Sequence, residues 1–293
     1  MHNYSSTVSV AIAGASGYAG QELLRILARH RGVTVSSAMT SSPDSAARPL
    51  PKLARLWTGT LEPLDIDKLS AADAVFLAVP EEASARLAPE LQARGVKRIF
   101  DLSGAFRLRS DELRGKWYPA TGDLPAGVAY GLTELSRPEI KAASVVACPG
   151  CYPTAAALAI RPLADAGLLD LPAGIVIDAK SGISGAGRTP SDRTHFSEVH
   201  GSVSAYGIFA HRHGAEIEQS VGAEVTFVPH LVPLDRGIFE TIYARVQPGV
   251  TVDRIAGAFE AAYKDAPFVR LTGGTMPEVK HVAYTNFCDI GWT

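Results

Sequence analysis

The feature that most constrains this chain is a glycine-rich turn between a short apolar strand and a helical pattern near the amino terminus. Apolar residues alternate from Val8 to Ile12, the sequence GASGYAG follows, and leucines on one helical face come next, at Leu23 to Leu27. A strand, a tight turn and a helix in this order form the opening unit of a dinucleotide-binding α/β domain. The order therefore predicts a cofactor site at the turn.

The turn has the residue types that a pyrophosphate requires. Glycine lets the backbone approach the phosphates, and the start of the helix presents its amides to them. We expect the cofactor to contact Gly14, Ser16, Gly17, Tyr18 and Gly20. Because the spacing is G-x-x-G-x-x-G instead of the commoner G-x-G-x-x-G, a strand-to-helix turn without a ligand is the alternative.

A second short strand is predicted from Val33 to Met39, and its end favours NADP over NAD. An NAD site usually has an acidic residue there to hold the ribose hydroxyl groups, but no Asp or Glu stands between Val33 and Pro43. Hydroxyl side chains such as that of Ser41 are able to donate to a 2′-phosphate. A serine-rich surface loop is the alternative interpretation.

The first half of the chain continues to alternate strands and helices. AVFLAVP (74–80) is a buried strand, EEASARLAPELQARG (81–95) a helix, and strands follow in VKRIFDLSG (96–104) and from Ser144 to Cys148. Residues 41–65 have no clear period and are predicted to form a loop. This alternation predicts a parallel sheet with helices on its faces.

The second half has a different pattern. The strand-like segments GIVIDAK (174–180), VTFVPHLVP (225–233) and GIFETIYARV (237–246) are separated by long polar stretches. We expect a largely antiparallel sheet, with helices at about Ala155 to Ala166 and Val252 to Lys264, and a domain boundary near residue 150.

Composition excludes several classes of protein. The chain has 293 residues, enough for two domains, and 28 basic residues against 30 acidic ones with no basic run. We therefore expect no nucleic-acid or anionic-membrane partner. No leader or membrane-spanning stretch is evident, and three cysteines do not make a disulfide framework, so the expected compartment is the cytoplasm.

Cys151 is the strongest candidate for a nucleophile. It lies in CPGCYPT, directly before a predicted helix, where the helix N-terminus favours the thiolate form. Cys148, at the end of an apolar strand, fits a buried structural cysteine. A redox or zinc pair of the two is the alternative, although zinc would need two further ligands.

Histidine is concentrated in the second half, and the HRH pair, His211 and His213, is able to supply an acid or a base near neutral pH. Scattered histidines also fit metal binding or surface loops, and their spacing alone does not decide. The others in this half before residue 231 are His195, His200 and His230.

Seven motifs together resemble the N-acetyl-gamma-glutamyl-phosphate reductase family of the semialdehyde-dehydrogenase superfamily. They are GASGYAG, DLSGAFRL (101–108), PGCYPT (149–154), KSGISGAGR (180–188), HRHGAEIEQ (211–219), PLDRGIFETIYA (233–244) and NFCDIG (286–291). The resemblance implies a Rossmann-type NADP domain over residues 1–149 and an α+β catalytic domain with a largely antiparallel sheet over residues 150–293.

The resemblance also implies a reaction and its residues. The expected activity is the NADPH-dependent reduction of an acyl phosphate in arginine biosynthesis, by a homo-oligomer (dimer or tetramer), with no metal. Cys151 would be the nucleophile and His213 the acid/base with His211 nearby, although the two histidines are not separated firmly. The predicted substrate residues are Arg107, for phosphate, and Ser181 and Arg236.

Three alternatives remain at this stage: a reductase of aspartyl phosphate, a reductase of a carrier-bound aminoadipyl phosphate, and a non-catalytic NADP-binding protein. Family members usually continue past the position of Thr293 into a strand and a long helix that pack on the nucleotide domain. The resemblance therefore implies a segment that this sequence lacks.

Overall fold

A computed structural model of the chain describes residues 7–293, which form two compact units that join in sequence at Pro149 and Gly150. The first six residues of the predicted nucleotide domain lie outside the described residues.

The first unit contains a seven-stranded sheet in which every pairing between neighbouring strands is parallel. Its strands are β1 (Val8–Ala13), β2 (Val33–Met39), β3 (Leu61–Glu62), β4 (Ala74–Leu77), β5 (Arg98–Asp101), β6 (Val128–Tyr130) and β7 (Val145–Ala147). Its helices are α1 (Tyr18–Leu27), α2 (Ile66–Ser70), α3 (Glu81–Ala93), α4 (Asp111–Trp117) and α5 (Thr133–Ala142), with a 3-10 turn at Pro51–Leu53. The strands follow the order β3-β2-β1-β4-β5-β7-β6.

β1, an inner strand of this sheet, is buried on both faces from Val10 to Ala13. Val10 and Ile12 belong to one apolar cluster with Leu24 of α1, and Ala11 and Ala13 belong to another that includes residues of α3. Consecutive side chains of a strand point to opposite faces, so covering both faces with helices requires an apolar residue at nearly every position. The predicted parallel-sheet class of this unit is confirmed.

The second unit combines six strands with five helices in the described residues. The strands are β8 (Ile175–Gly182), β9 (Ser204–Ala205), β10 (Val225–Val232), β11 (Ile238–Ala244), β12 (Val269–Gly273) and β13 (Cys288–Gly291). The helices are α6 (Cys151–Asp165), α7 (Phe196–Val199), α8 (Arg212–Val221), α9 (Val252–Tyr263) and α10 (Val279–Val282), with 3-10 turns at Leu171–Ala173, Ile183–Ala186 and Asp192–Thr194. The α+β class is confirmed.

The sheets of this unit are mixed, which corrects the expectation of a largely antiparallel sheet. In the order β11-β8-β10-β9 the outer pairings are antiparallel, but the central pairing of β8 with β10 is parallel over eight residue pairs. The separate pair β12 and β13 is also parallel. Parallel neighbours require a crossover connection, and here it contains α8, in a stretch that the polar sequence predicted to be a loop.

Helix α6 begins four residues earlier than predicted, at Cys151 and not at Ala155. Pro153 obscured this start in the sequence, but a proline is tolerated in the first helical turn, where its missing N–H costs no hydrogen bond. The correction places Cys151 inside the helix, as its first residue.

Glu240 of β11 lies on the core-facing side of the four-stranded sheet of the second unit, where an acidic side chain is unusual. It lies opposite Ala179 and between Ile238 and Ile242, whose side chains pack on the apolar core of the unit. Both of its carboxylate oxygens are buried without a hydrogen-bond partner among the described residues, and this burial raises the pKa of Glu240 well above its ordinary value of 4.5. The fold therefore favours the neutral acid at this position.

We predict that Glu240→Met stabilises the protein by about 1–3 kcal/mol near pH 8, because an unpaired buried acid is exchanged for an apolar side chain of similar shape. The native pKa lies above the unfolded one, so the unfolded chain releases this proton first and wild type loses stability as pH rises above about 4.5. Urea unfolding of both proteins from pH 5 to pH 8 measures the difference, which should grow with pH. The exposed Glu260→Met is the control, and an equal gain there would contradict this prediction.

Candidate active site

Cys151 is the first residue of α6 and its side chain is exposed. Gly150, in extended conformation, caps the helix, and Thr154 donates from both its amide and its Oγ1 to the Gly150 carbonyl, at 3.0 and 2.8 Å. The thiol thus lies at the positive end of a 15-residue helix, where a thiolate is stabilised.

Cys148 has the opposite environment, although it precedes Cys151 by three residues. Desolvation of its thiol, with a further contribution from the charge of Asp101, raises the pKa of Cys148 to about 12. No cysteine of the chain forms a disulfide, and all three lie in the described residues. A thiol that stays protonated is a poor nucleophile, so the geometry favours Cys151 over Cys148.

His211 and His213 are brought together at the start of α8, with ring centroids 4.7 Å apart. His211 is the N-cap of the helix, and its Nδ1 accepts the backbone N–H of His213 at 3.0 Å. Burial, with the nearby charge of Arg212, lowers the pKa of His211 to about 4. The ring of His211 is therefore neutral at pH 7 and occupied in capping the helix.

His213 lies against the backbone of Gly150, which precedes Cys151. A Cβ atom built on Gly150 would lie 2.6 Å from Nε2 of His213 and 3.0 Å from Oε2 of Glu216. A larger residue at position 150 would therefore require the side chains of His213 and Glu216 to move. The close approach brings an imidazole and a carboxylate next to the first turn of α6.

Glu216 is a site residue that sequence reasoning missed. Its side chain is fully buried, and its Oε1 accepts the Gly150 N–H at 2.8 Å. A signal was present, because residues three apart on a helix share a face and Glu216 follows His213 by three. The interpretation of this segment as a loop concealed that signal.

Two tyrosines, also missed by the sequence, line the same region. The ring of Tyr152 makes edge contacts with both imidazoles, at 6.1 and 6.0 Å between centroids, and its hydroxyl lies 3.3 Å from that of Tyr206. Burial raises the pKa of both phenols, and the sulfur of Cys151 contributes to both increases. The two hydroxyl groups are thus close enough to the thiol to sense its charge, and both stay protonated near neutral pH.

The predicted substrate residues occupy two different environments. Ser181, buried at the end of β8, donates to the Gly182 carbonyl and interacts with the Tyr152 hydroxyl, while Arg236 is half-buried with its backbone against Gly182. Arg107 belongs to the first unit, where it donates to the carbonyls of Cys148 and Leu102. Its guanidinium is therefore engaged with backbone at the end of the sheet, and its role towards phosphate stays a prediction.

The three glycines of the first turn are required for different reasons. Gly14 has φ +86°, and a Cβ there would lie 2.1 Å from the carbonyl oxygen of Ala78; a Cβ on Gly20 would lie 2.2 Å from the Gly14 oxygen. A Cβ on Gly17, the N-cap of α1, would meet nothing closer than 3.6 Å. The protein itself therefore excludes a side chain at Gly14 and Gly20 but not at Gly17, which is the pattern expected where a ligand must approach the backbone.

The other predicted cofactor residues surround this turn. Tyr18 is the first residue of α1, and the carbonyl of Ser16 accepts the side chain of Gln21 at 2.8 Å. Ser41 is exposed on the loop after β2, whereas the neighbouring Thr40 is buried and hydrogen-bonds to Ser42 and Ser45. Ser41 is thus available to a ligand at the end of β2.

The remaining histidines are not gathered into a metal site. Among residues 7–293 no group of three or more His, Cys, Asp or Glu side chains is arranged to hold a metal ion. His230 instead lies on the face of the second-unit sheet that points away from the apolar core, with its Nδ1 3.2 Å from Asp178.

No helix in the described part of the chain combines the length and apolarity needed to cross a membrane.

Comparisons with known proteins agree with both units. Residues 9–143 match the family model "Semialdehyde dehydrogenase, NAD binding domain" and residues 151–293 match "Semialdehyde dehydrogenase, dimerisation domain". The chain is 44% identical to an N-acetyl-gamma-glutamyl-phosphate reductase of Brevibacillus brevis, over 97% of this chain and 85% of the relative.

Solved structures share the fold at low identity. An aspartate semialdehyde dehydrogenase from Francisella tularensis aligns with a TM-score of 0.69 and 14% identity, over 97% of this chain and 90% of the other. That of Candida albicans, solved with NADP, aligns with a TM-score of 0.67 and 13% identity, over 94% and 85%. At such identities the likeness shows the fold alone.

We predict that Gly17→Ala lowers NADPH affinity at least about tenfold, because a methyl group would stand where the pyrophosphate must approach, while costing about 1 kcal/mol of stability as a poorer N-cap. Gly20→Ala should instead destabilise the first unit by about 3 kcal/mol, because its methyl would collide with backbone. Fluorescence titration with NADPH and urea unfolding measure the two effects. Wild-type affinity in Gly17→Ala would contradict the assignment of the turn.

Proposed function

The chain belongs to the family of N-acetyl-gamma-glutamyl-phosphate reductases, and we propose that it catalyses the NADPH-dependent reduction of N-acetyl-gamma-glutamyl phosphate to the semialdehyde in arginine biosynthesis. The resemblance stated from the motifs is thereby confirmed at the level of the family. The observation that carries the proposed chemistry is the exposed thiol at the first position of α6, together with the imidazole of His213, which lies against the preceding residue, Gly150.

The first unit supplies the residues for the cofactor. The open backbone at Gly17 and the amides at the start of α1 suit a pyrophosphate, and Ser41 suits a 2′-phosphate. When bound, NADPH supplies the hydride that reduces the acyl group.

Cys151 begins the reaction on the substrate. Its thiolate attacks the acyl carbon, the bond from that carbon to the phosphate oxygen breaks, and inorganic phosphate leaves, so that the acyl group becomes a thioester. A thioester accepts hydride, whereas a carboxylate does not, and this is the purpose of the covalent step. Arg107, Ser181 and Arg236 stay the proposed contacts for phosphate and for the rest of the substrate.

His213 completes the reaction as a general acid. After reduction the carbon–sulfur bond must break, and a protonated imidazole gives its proton to the departing sulfur as the aldehyde forms. His213 is better suited to this role than His211, whose Nδ1 is held by the helix amide and whose pKa is lowered to about 4. An imidazole with so low a pKa carries almost no proton at pH 7.

We further propose that the chain acts as a homo-oligomer formed through the second unit. The match of residues 151–293 to a dimerisation domain supports this assembly. On the sheet face opposite the core, Val176 and Tyr243 are paired across β8 and β11 and are 41% and 58% exposed. Two exposed apolar side chains beside the Asp178–Lys180 ion pair give a face that a second copy is able to cover.

In the Cys151→Ser variant, the rate of phosphate-dependent reduction of NADP+ with N-acetylglutamate semialdehyde should fall by roughly 10⁴-fold or more. The reason is that a serine hydroxyl does not ionise to an alkoxide as readily as a cysteine thiol ionises to a thiolate. NADPH binding should be unchanged. Cys148→Ser, as the matched control, should keep most activity. Turnover in Cys151→Ser would remove the nucleophile from this scheme, and a preference of wild type for aspartate semialdehyde or a carrier-bound aminoadipate semialdehyde would assign a different acyl phosphate.

Replacing each histidine by asparagine separates their roles. His213→Asn should lower kcat by about 10² to 10⁴, the usual loss of a general acid. His211→Asn should keep kcat within about threefold, because asparagine is a good N-cap and preserves the start of α8. Steady-state kinetics at pH 7 measures both, and the reverse order of effects would assign the proton transfer to His211.

A further inference from the structure

An exposed cation, Arg193, lies beside the candidate site and has no role in the proposed chemistry. Its guanidinium carbon lies over the ring of Tyr206, 5.4 Å from the ring centroid. Arg193 belongs to the 3-10 turn Asp192–Thr194, which is closed by a capping box between Ser191 and Thr194. A guanidinium is attracted to the face of an aromatic ring. The turn and the ring therefore orient this long side chain together.

The ring of Tyr206 connects this cation to the surroundings of the nucleophile. Its hydroxyl lies 3.3 Å from that of Tyr152, and Tyr152 directly follows Cys151 in the first turn of α6. Burial raises the pKa of Tyr206, the charge of Cys151 adds to this increase and the charge of Arg193 opposes it. One hydroxyl group is therefore within electrostatic range of both the thiol and the guanidinium, so Arg193 lies at the edge of the candidate site.

No carboxylate in the described part of the chain forms an ion pair with Arg193. Other cations of the second unit do have acidic partners, in the ion pairs of Arg161, Lys180, Arg270 and Lys280. The contact with Tyr206 leaves the charge of the guanidinium in place, and the residue is exposed. A guanidinium binds a carboxylate through two parallel hydrogen bonds. The position therefore suits the carboxylate of a ligand.

The proposed substrate carries a carboxylate that the reaction leaves unchanged. A short carbon chain joins this α-carboxylate to the acyl carbon, so a site that brings the acyl carbon to Cys151 must also accommodate a second negative group. Removing a carboxylate from water is costly unless a donor replaces its hydration. The chemistry of the substrate therefore favours a cation near the thiol, and Arg193 supplies one within the second unit.

We propose that Arg193 is a substrate-binding residue, whose guanidinium holds the α-carboxylate while Cys151 attacks the acyl carbon. This inference rests on the proposed function for the identity of the substrate. No bond of the carboxylate forms or breaks during the reaction, so the contact is equally strong in the bound substrate and in the transition state. An interaction of this kind lowers KM and leaves kcat unchanged.

Arg193→Gln removes the charge and keeps a polar side chain. We expect KM for N-acetylglutamate semialdehyde to rise by about 10- to 100-fold, as for the loss of a charged hydrogen-bonded pair, with kcat within about threefold of wild type. KM for phosphate, measured in the same assay of NADP+ reduction, should not change. Arg254→Gln, at an exposed arginine of α9, is the control and should alter neither constant. A rise in KM for phosphate in place of that for the semialdehyde, or no rise in either, overturns the proposal.

An aldehyde that lacks the carboxylate tests the contact itself. For 4-acetamidobutanal, which is N-acetylglutamate semialdehyde without its α-carboxylate, wild type should have a KM raised by a similar factor, and Arg193→Gln should add no further rise. An equal rise in KM for both aldehydes in Arg193→Gln overturns the proposal, because the lost interaction would then not involve the carboxylate.

Equilibrium binding gives an answer that does not depend on turnover. Calorimetric titration compares N-acetylglutamate with 4-acetamidobutanoate, which again lacks only the α-carboxylate, on wild type and on Arg193→Gln with NADP+ present. Wild type should bind N-acetylglutamate at least about tenfold more tightly, and the variant should bind both alike. If wild type converts neither aldehyde, the proposed function has failed, and this comparison still decides the inference. Equal affinities or no binding in wild type, or a preference that persists in Arg193→Gln, overturns the carboxylate site.

Discussion

The hydrogen bond from the Gly150 amide to the carboxylate of Glu216 is the contact on which the candidate site of the second unit depends. It joins residues 66 positions apart, and it connects the first turn of α6 to α8. A buried carboxylate tolerates little movement of its partners, because a lost hydrogen bond leaves a charge without compensation. The hydrogen bond therefore ties the backbone next to Cys151 to helix α8.

Helix α8 also belongs to the connection that allows the sheet of the second unit to be mixed. β8 and β10 run parallel, and the chain must cross from the end of one to the start of the other through the segment that contains α8. Ala215, Ile217 and Val221 are buried along that helix, while His213 and Glu216 face the start of α6. The crossover that permits the parallel pairing therefore also places His213 and Glu216 against Gly150, at the start of α6.

The sequence predicted the elements whose pattern is local. The alternation from Val8 to Ile12, the helix α9 and the cysteine at a helix start all follow from spacing within one segment. The strands β3 and β6, of two and three residues, were missed because such short segments have no measurable period. Glu216 was missed because its segment was interpreted as a loop, which concealed its helical spacing of three from His213. Tyr206 was missed because its contact with Tyr152 joins distant segments, and spacing along the chain does not show such a contact.

The two cysteines of the C-x-x-C segment show how far a motif alone can mislead. By sequence they form a pair, and a redox or metal site is a reasonable hypothesis. In the structure one follows the buried strand β7, where desolvation holds its thiol protonated, and the other begins a helix with its side chain exposed. Pro149 and Gly150 separate these environments, because the chain changes from strand to helix within them. The difference between the two thiols therefore follows from the change of secondary structure between them, which leaves Cys148 beside the buried strand and Cys151 exposed at the helix start.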